Sequence, residues 1–269
     1  MEMYAYYASL EPHMLWVEDD FRLHNNVPLE WGGCFCDLHM EEFSRMAGRK
    51  LGREEFVQGL LQPGEPHPFR KMWLDTGCES MAELAKLIGN AVHEVSPNTR
   101  VGLMSSMPEI HCAEGRDWHG ILSGLAGPAT PMVNRPNLPM YSERAPADYL
   151  WDFAASSRLT QAMSPKSTEL YPELESSPYT RFAKSRTSTR FQIESSLSLL
   201  PKGITLNIQC MIGNGIMVQE GYEKALADAK DLVQSVSDLG LRQTDEVGID
   251  VLVNTRSSYS LHTDQGSVM

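Results

Sequence analysis

Six short apolar runs with strand character recur along the chain: "MLWV" (14–17), "RVGLMS" (100–105), "TPMVN" (130–134), "TELY" (168–171), "ITLNIQC" (204–210) and "VGIDVLV" (247–253). Between them lie segments with helical periodicity. In "SMAELAKLIGNAVHEV" (80–95), Met81, Leu84, Leu87, Ile88, Ala91 and Val92 fall on one face. The stretches 145–159, 187–200 and 221–240 behave alike, with Ser80 and Thr187 as expected N-caps and Gly203 and Gly240 as expected stops. This alternation constrains the fold more than any other feature. Parallel strands cannot be joined by a tight turn, so each pair needs a helical crossover, which predicts a parallel sheet with helices packed outside it.

After the first run there is a long gap containing "NNVPLEWGGCFCDLHMEEF" and "LLQPGEPHPFRK", which reads as an insertion in a βα loop. The later repeats then settle to the size of βα units. Polar residues gather just past the strands: Glu18-Asp19-Asp20, Glu109-His111, Asn134-Arg135, Glu173-Glu175 and Asn207-Gln209. In a (β/α)8 barrel that end of every strand builds the active site, whereas a doubly wound sheet loads only its switch-point loops. The expected fold is therefore α/β: part of a TIM (β/α)8 barrel, strands four to eight, over residues 1–242. Residues 243–269 are expected to open a following α/β domain.

The net charge of −12 argues against a nucleic-acid partner, whose phosphates must be neutralised by Lys and Arg. No apolar stretch approaches the ~20 residues needed to span a bilayer, so no membrane partner is expected. The five cysteines are too few for a disulfide framework in a chain of 269 residues, and their odd number argues for reduced thiols. "MEMYAYYASLEPH" has neither a basic start nor an apolar core, so a cytoplasmic location is expected. The "GNG" at 213–215 lacks the strand–turn–helix setting of a dinucleotide site, and the 15 methionines read as core filler.

Two acidic clusters stand out, Glu18-Asp19-Asp20 and the Glu173/Glu175 pair in "YPELESSPYTRFAKS" (171–185). Cleaving a glycosidic bond needs two carboxyls, one to protonate the departing oxygen and one to support charge at the anomeric carbon. In "WVEDDF", "CFCDLHMEEF" and "ESSP" the chain resembles the family 42 glycoside hydrolases, chiefly β-galactosidases on a (β/α)8 barrel. The resemblance implies Asp20 as acid/base and Glu175 as nucleophile of a retaining hydrolase that needs no catalytic cofactor. Asp stands at both positions where the family has Asn-Glu, so a divergent relative is expected. The resemblance further implies a carbohydrate substrate, and a following domain through which the chain would form a homo-oligomer.

The residues themselves leave rivals open. Glu18 shares a side with Asp20 on an ideal strand, as Glu173 does with Glu175. Asp20 could instead pair with Arg22. Lys184 or Arg181 could hold the acidic cluster ionised. Asp19, His111, Asn134 and Trp118 are candidates for binding a sugar, against a reading in which they are satisfied or packed residues. Cys34, Cys36 and His39 have the spacing and softness for a structural zinc, against a reading of free thiols and a surface histidine. A carbohydrate-binding barrel without catalysis, or an inactive fragment, are the competing functions.

Overall fold

The computed structural model describes residues 1–23, 33–108, 111–112, 115–175, 183–207, 209–210, 215–216 and 221–260, with backbone only at 209–210, 215–216 and 244. Four strands lie side by side in chain order and all parallel: Met14–Val17 (β1), Arg100–Ser105 (β2), Val133–Pro136 (β3) and Glu169–Leu170 (β4). Two residues beyond β4, Glu173–Leu174 (β5) pairs in parallel with Thr205–Leu206 (β6), and a bridge from Asn137 to Glu173 ties β5 to the end of β3. The order never reverses among these strands, as it would at the switch point of a doubly wound sheet. Run 204–210 yields β6 and a separate Gln209–Cys210 (β7), which pairs antiparallel with Gly215–Ile216 (β8).

Helices cover one face of the parallel strands. Val17, Val101 and Leu103 share a face by register and meet Met81, Ala85, Ile88 and Val92 of Pro68–His93 (α4). Ile121, Leu122 and Leu125 of Trp118–Ala126 (α5) complete that cluster. On the same face further along, Leu170 and Leu174 meet Tyr149 and Phe153 of Pro146–Phe153 (α6). Leu159–Met163 (α7) follows α6, and Ile193 of Arg186–Ser196 (α8) and Ala229 of Tyr222–Asp238 (α9) also join this second cluster. Each fully buried Leu, Ile or Val contributes roughly 1.5–3 kcal/mol of hydrophobic stabilisation, so the face these residues occupy is strongly specified.

The opposite face carries Trp16, Gly102, Met104, Arg135, Tyr171 and Glu173, by register and alternation. Gly102 makes room for the Trp16 indole: a Cβ there would lie 2.4 Å from a ring carbon. Arg100 pairs with Glu169 and donates to Tyr171 Oη at 3.0 Å, near the N-terminal ends of the strands.

Several local expectations change. The helix expected from Ser80 begins at Pro68, with His67 Nδ1 accepting the Phe69 N–H at 3.1 Å, because Pro at the first helical position starts the helix and does not break it. The cap expected at Thr187 is Ser185, whose Oγ accepts from Ser188 N at 3.1 Å. The stop expected at Gly203 comes earlier, at Leu200 in the left-handed region. The expected loop insertion holds two helices, Asp37–Met46 (α2) and Arg53–Leu61 (α3), as well as the start of α4. Phe43, Phe56 and Phe69 pack there into a core of their own. Glu2–Ala8 (α1) precedes β1.

The strand expected at 247–253 does not form. Val247, Ile249, Val251 and Leu252 are 98%, 95%, 80% and 100% exposed. A β-prone run has no strand conformation to settle into without a neighbour for its N–H and C=O groups. A few residues on, Tyr259 Oη donates to Asp75 Oδ1 on α4 at 2.8 Å.

Candidate active site

The first acidic cluster does not continue β1. The chain turns after Val17, with Phe21 N donating to Glu18 O at 3.0 Å and Arg22 N to Asp20 O at 2.8 Å. The alternation that would have put Glu18 and Asp20 on one side therefore stops at the ladder's end. Asp20 is turned outward, with its side chain 75% exposed and paired with Arg22. This corrects the expectation that Asp20 is the residue presented to the site.

Asp19 is the half-buried member. Burial, a hydrogen bond to Glu18 and the Glu18 charge push its carboxyl up to about 6. Glu18 is held below the ordinary range. Its partial burial opposes this, but hydrogen bonds from the Asp19 carboxyl and the main-chain N–H groups of Asp20 and Asp19 outweigh it, with Arg135 assisting. The two adjacent carboxyls are thus pushed apart, Asp19 upward and Glu18 downward.

The second cluster behaves in parallel. Glu173 forms an ion pair with Arg135 at 2.5 Å and accepts a hydrogen bond from Tyr141 Oη at 3.3 Å. Burial raises its carboxyl most, and the charge of Glu175 and a hydrogen bond to it add to the shift. Against the pull of Arg135, the result is about 7. Glu175 accepts from Asn207 Nδ2 at 3.5 Å, and its main-chain oxygen accepts from Lys184 Nζ at 2.5 Å. Lys184 is buried, which pushes its ammonium down to about 8 against the attraction of Glu175 and Glu143. Its partner in that expectation, Arg181, lies outside the described residues.

Arg135, one strand position past Asn134, links the two clusters, because its charge acts on both Glu18 and Glu173. Its guanidinium lies 6.0 Å from the Trp16 ring. Tyr141 comes from the loop after β3 and is acted on by Glu173, Glu175 and Asp19 together, which with burial raises its phenol strongly. The loop is clamped where Gln192 Nε2 donates to Pro139 O at 2.8 Å and Met140 O at 3.3 Å. Met140 there adopts φ +65°, an uncommon left-handed conformation for its residue type. Sequence reading missed Tyr141, because no motif marks a tyrosine delivered by a strained loop.

Three expected sugar contacts lie inside the core. Asn134 is fully buried, accepting from Ser105 Oγ at 2.6 Å and donating to Ser164 Oγ at 2.9 Å. It falls on the helix-covered face, opposite Arg135. His111 is fully buried, with Nε2 3.1 Å from Ser106 Oγ and its ring edge-on to Trp118 at 5.8 Å. Trp118 is 4% exposed and packs with Cys112 and Met163, so it offers no flat face to a ligand. Glu109, marked with His111 past the second run, lies outside the described residues.

Cys34, Cys36 and His39 do come together, with one donor atom from each within 4.8 Å of the others. Cys36 caps α2, and its sulfur is 3.4 Å from His39 Nδ1. The His39 main-chain N–H, Cys34 and the His39 ring pull the Cys36 thiol down to about 7. This donor set could bind a metal ion, and two sulfurs with an imidazole suit zinc.

A separate cavity of about 630 Å³ is lined mainly by apolar residues such as Ile193, Leu226 and Val233. No helix among the described residues is long and apolar enough to cross a membrane. No family model matches the chain, and comparison with curated proteins and with solved structures gives no match.

The raised carboxyls predict a pH dependence of stability. Folded Glu173 keeps its proton to about 7 and folded Asp19 to about 6, against ordinary values of 4.5 and 3.8. Between those limits the folded state binds more protons than the unfolded chain, so stability falls as pH rises. Urea midpoints should drop from pH 4.5 to 7.5, with Glu173 contributing on the order of 2 kcal/mol. A midpoint that is flat or rises over this window would contradict the placement of Glu173.

Proposed function

We propose that the chain is a glycoside hydrolase of the family 42 type, its parallel strands corresponding to strands four to eight of a (β/α)8 barrel. The observation that carries the reading is the convergence of two carboxyl clusters on Arg135, which pairs with Glu173 at 2.5 Å and whose charge also acts on Glu18. Glycosidic cleavage needs one carboxyl to give a proton and one to act as a carboxylate on either side of the bond, and burial raises both Asp19 and Glu173 above the ordinary range. Strands in chain order with helices on one face support the barrel.

The roles follow from the surroundings. Glu173, oriented by Arg135 and Tyr141, attacks the anomeric carbon as the glycosidic C–O bond breaks. Asp19 passes its proton to the departing oxygen. Asp19 then takes a proton from water, whose hydroxyl joins the anomeric carbon and frees Glu173. Glu173 gives up its proton to solvent before it attacks, and Arg135 pairs with the carboxylate that results. Cys34, Cys36 and His39 would hold a zinc ion that fixes the start of α2.

The test is a panel of 4-nitrophenyl β-glycosides, with the first-formed anomer followed by NMR. Release of nitrophenol with retained configuration is expected. A folded protein that cleaves none of the panel defeats the proposal.

A further inference from the structure

Helix α9 does not close fully on strand β6. By register Leu206 lies beside Leu174 on the helix-covered face, and Ile204 shares that side by alternation. Leu170 and Leu174 are buried there, yet Ile204 and Leu206 stay half-buried. The spacing of Tyr222, Leu226, Ala229, Val233 and Val236 puts them on one face of α9. Tyr222 and Ala229 are buried, whereas Leu226, Val233 and Val236 are only half-buried. The space between these surfaces is the cavity of about 630 Å³. Protein interiors hold few voids larger than a water molecule, and this one has the size of a ligand site.

The wall opposite α9 is held by its main chain. Lys202 N donates to Leu170 O at 2.8 Å and Thr205 N to Pro172 O at 3.0 Å, while Gln161 Nε2 donates to Leu199 O at 3.1 Å. Leu200, between those anchors, holds φ +50°, an uncommon conformation for a residue with a side chain. Among the described residues, Lys202 and Lys230 are the only charged ones that line the cavity. The chain has 35 acidic residues against 23 Lys and Arg, so a lining with two lysines and no carboxylate runs against its composition. Both lysines are exposed, and among the described residues neither forms an ion pair. The positions three and four residues from Lys230 on α9 hold Leu226, Ala227, Val233 and Gln234, so no helical neighbour neutralises it.

We infer that this cavity binds a fatty acid, its alkyl chain lying between β6 and α9 and its carboxylate meeting Lys202 and Lys230. The alkyl chain removes the apolar walls from water. A lysine lays its stem along apolar surface and keeps its ammonium in water, which is where the carboxylate of a buried chain emerges. Two ammonium groups without a competing acid complement an anion, while the net charge of −12 repels anions elsewhere on the surface. An anionic bilayer is a poorer occupant, because α9 carries Glu223, Asp228, Asp231 and Asp238 against Lys224 and Lys230. None of the lining residues belongs to either carboxyl cluster, so the inference goes beyond the hydrolase reading and stands without it.

The experiment titrates octanoate, decanoate and laurate into the full chain by isothermal titration calorimetry, with decanol and decyltrimethylammonium as uncharged and cationic controls. Saturable binding at one site is expected, tightening about fourfold for each added methylene. Decanoate should bind several-fold more tightly than either control. Lys202→Glu combined with Lys230→Glu, both at exposed positions, should weaken decanoate about tenfold or more and leave decanol unchanged. Ala227→Trp, at an exposed position in the lining, should weaken decanoate and decanol alike by filling the space. Urea midpoints close to the parental value show that the variants are folded. Absence of decanoate binding, a control that binds as tightly, or decanoate affinity untouched by the lysine pair would overturn the inference. So would a dimer that Ala227→Trp dissociates in a protein that binds no decanoate, which would assign the cavity to a second copy of the chain.

Discussion

If the proposed mechanism holds, Glu173→Gln is expected to lower turnover of a 4-nitrophenyl β-glycoside by roughly 10³-fold or more, since the variant lacks the proposed nucleophile and keeps only binding and electrostatic residues. Asp19→Asn should cost about 10²- to 10⁴-fold as the proposed proton donor is lost, with the smaller loss on substrates whose leaving group departs without help. Asp20→Asn should stay near the parental rate, because that carboxyl faces solvent and Arg22. Glu175→Gln removes the charge and hydrogen bond that help raise Glu173, so Glu173 ionises more readily. The acidic limb of the pH–rate profile should then move to lower pH. The measurements are kcat and kcat/KM across pH, with circular dichroism confirming that each variant is folded. Loss of activity in Asp20→Asn with retention in Asp19→Asn would reverse the assignment.

The second large effect is on folding. Where α4 crosses α5, a Cβ on Gly89 would sit 2.3 Å from Gly124 O and 2.9 Å from Leu125 O, and one on Gly124 would sit 2.9 Å from Lys86 N. These obstacles are main chain and cannot rotate away, so any side chain there must push the helices apart. Gly89→Val should destabilise by about 1–3 kcal/mol or more through overpacking, read as a fall in the urea midpoint. Gly52, with nothing within 4 Å of its would-be Cβ and an N-cap role on α3, is the control. Gly52→Ser should leave the midpoint at or slightly above the parental value. Equal midpoints for both variants would mean that the two helices do not meet at Gly89.

Much of the fold was legible because it depends on local pattern. The runs at 14–17 and 100–105 became β1 and β2 with the expected limits. Helices formed at 221–240 and 187–200 within a few residues of expectation. The apolar run at 247–253 looked equally strand-like and failed, since a strand is completed by a neighbour that the run itself cannot supply. Likewise Pro68 looked like a loop residue until the turn before it placed the ring at the helix start.

The site was legible at the level of segments and not of side chains. The first acidic cluster does end up just past β1, while the second lies on and just after β5, at the position after the fourth apolar run where Glu173 and Glu175 had been marked. Asn134 and Arg135 were marked together as a loaded strand end, yet alternation sends Asn134 into the helix-covered core and Arg135 to the carboxylates. Tyr141 carried no signal of any kind.

What the sequence determined by itself was therefore the parallel succession of βα units and the strand ends where charge collects, because crossover connections and apolar periodicity are properties of neighbouring residues. The tertiary structure alone decided that Asp19 and not Asp20 is the half-buried acid, that Arg135 pairs with Glu173 while its charge also acts on Glu18, and that Tyr141 reaches Glu173. Each of those depends on where a turn stops the strand's alternation and on charges brought together from distant parts of the chain, which no local pattern encodes.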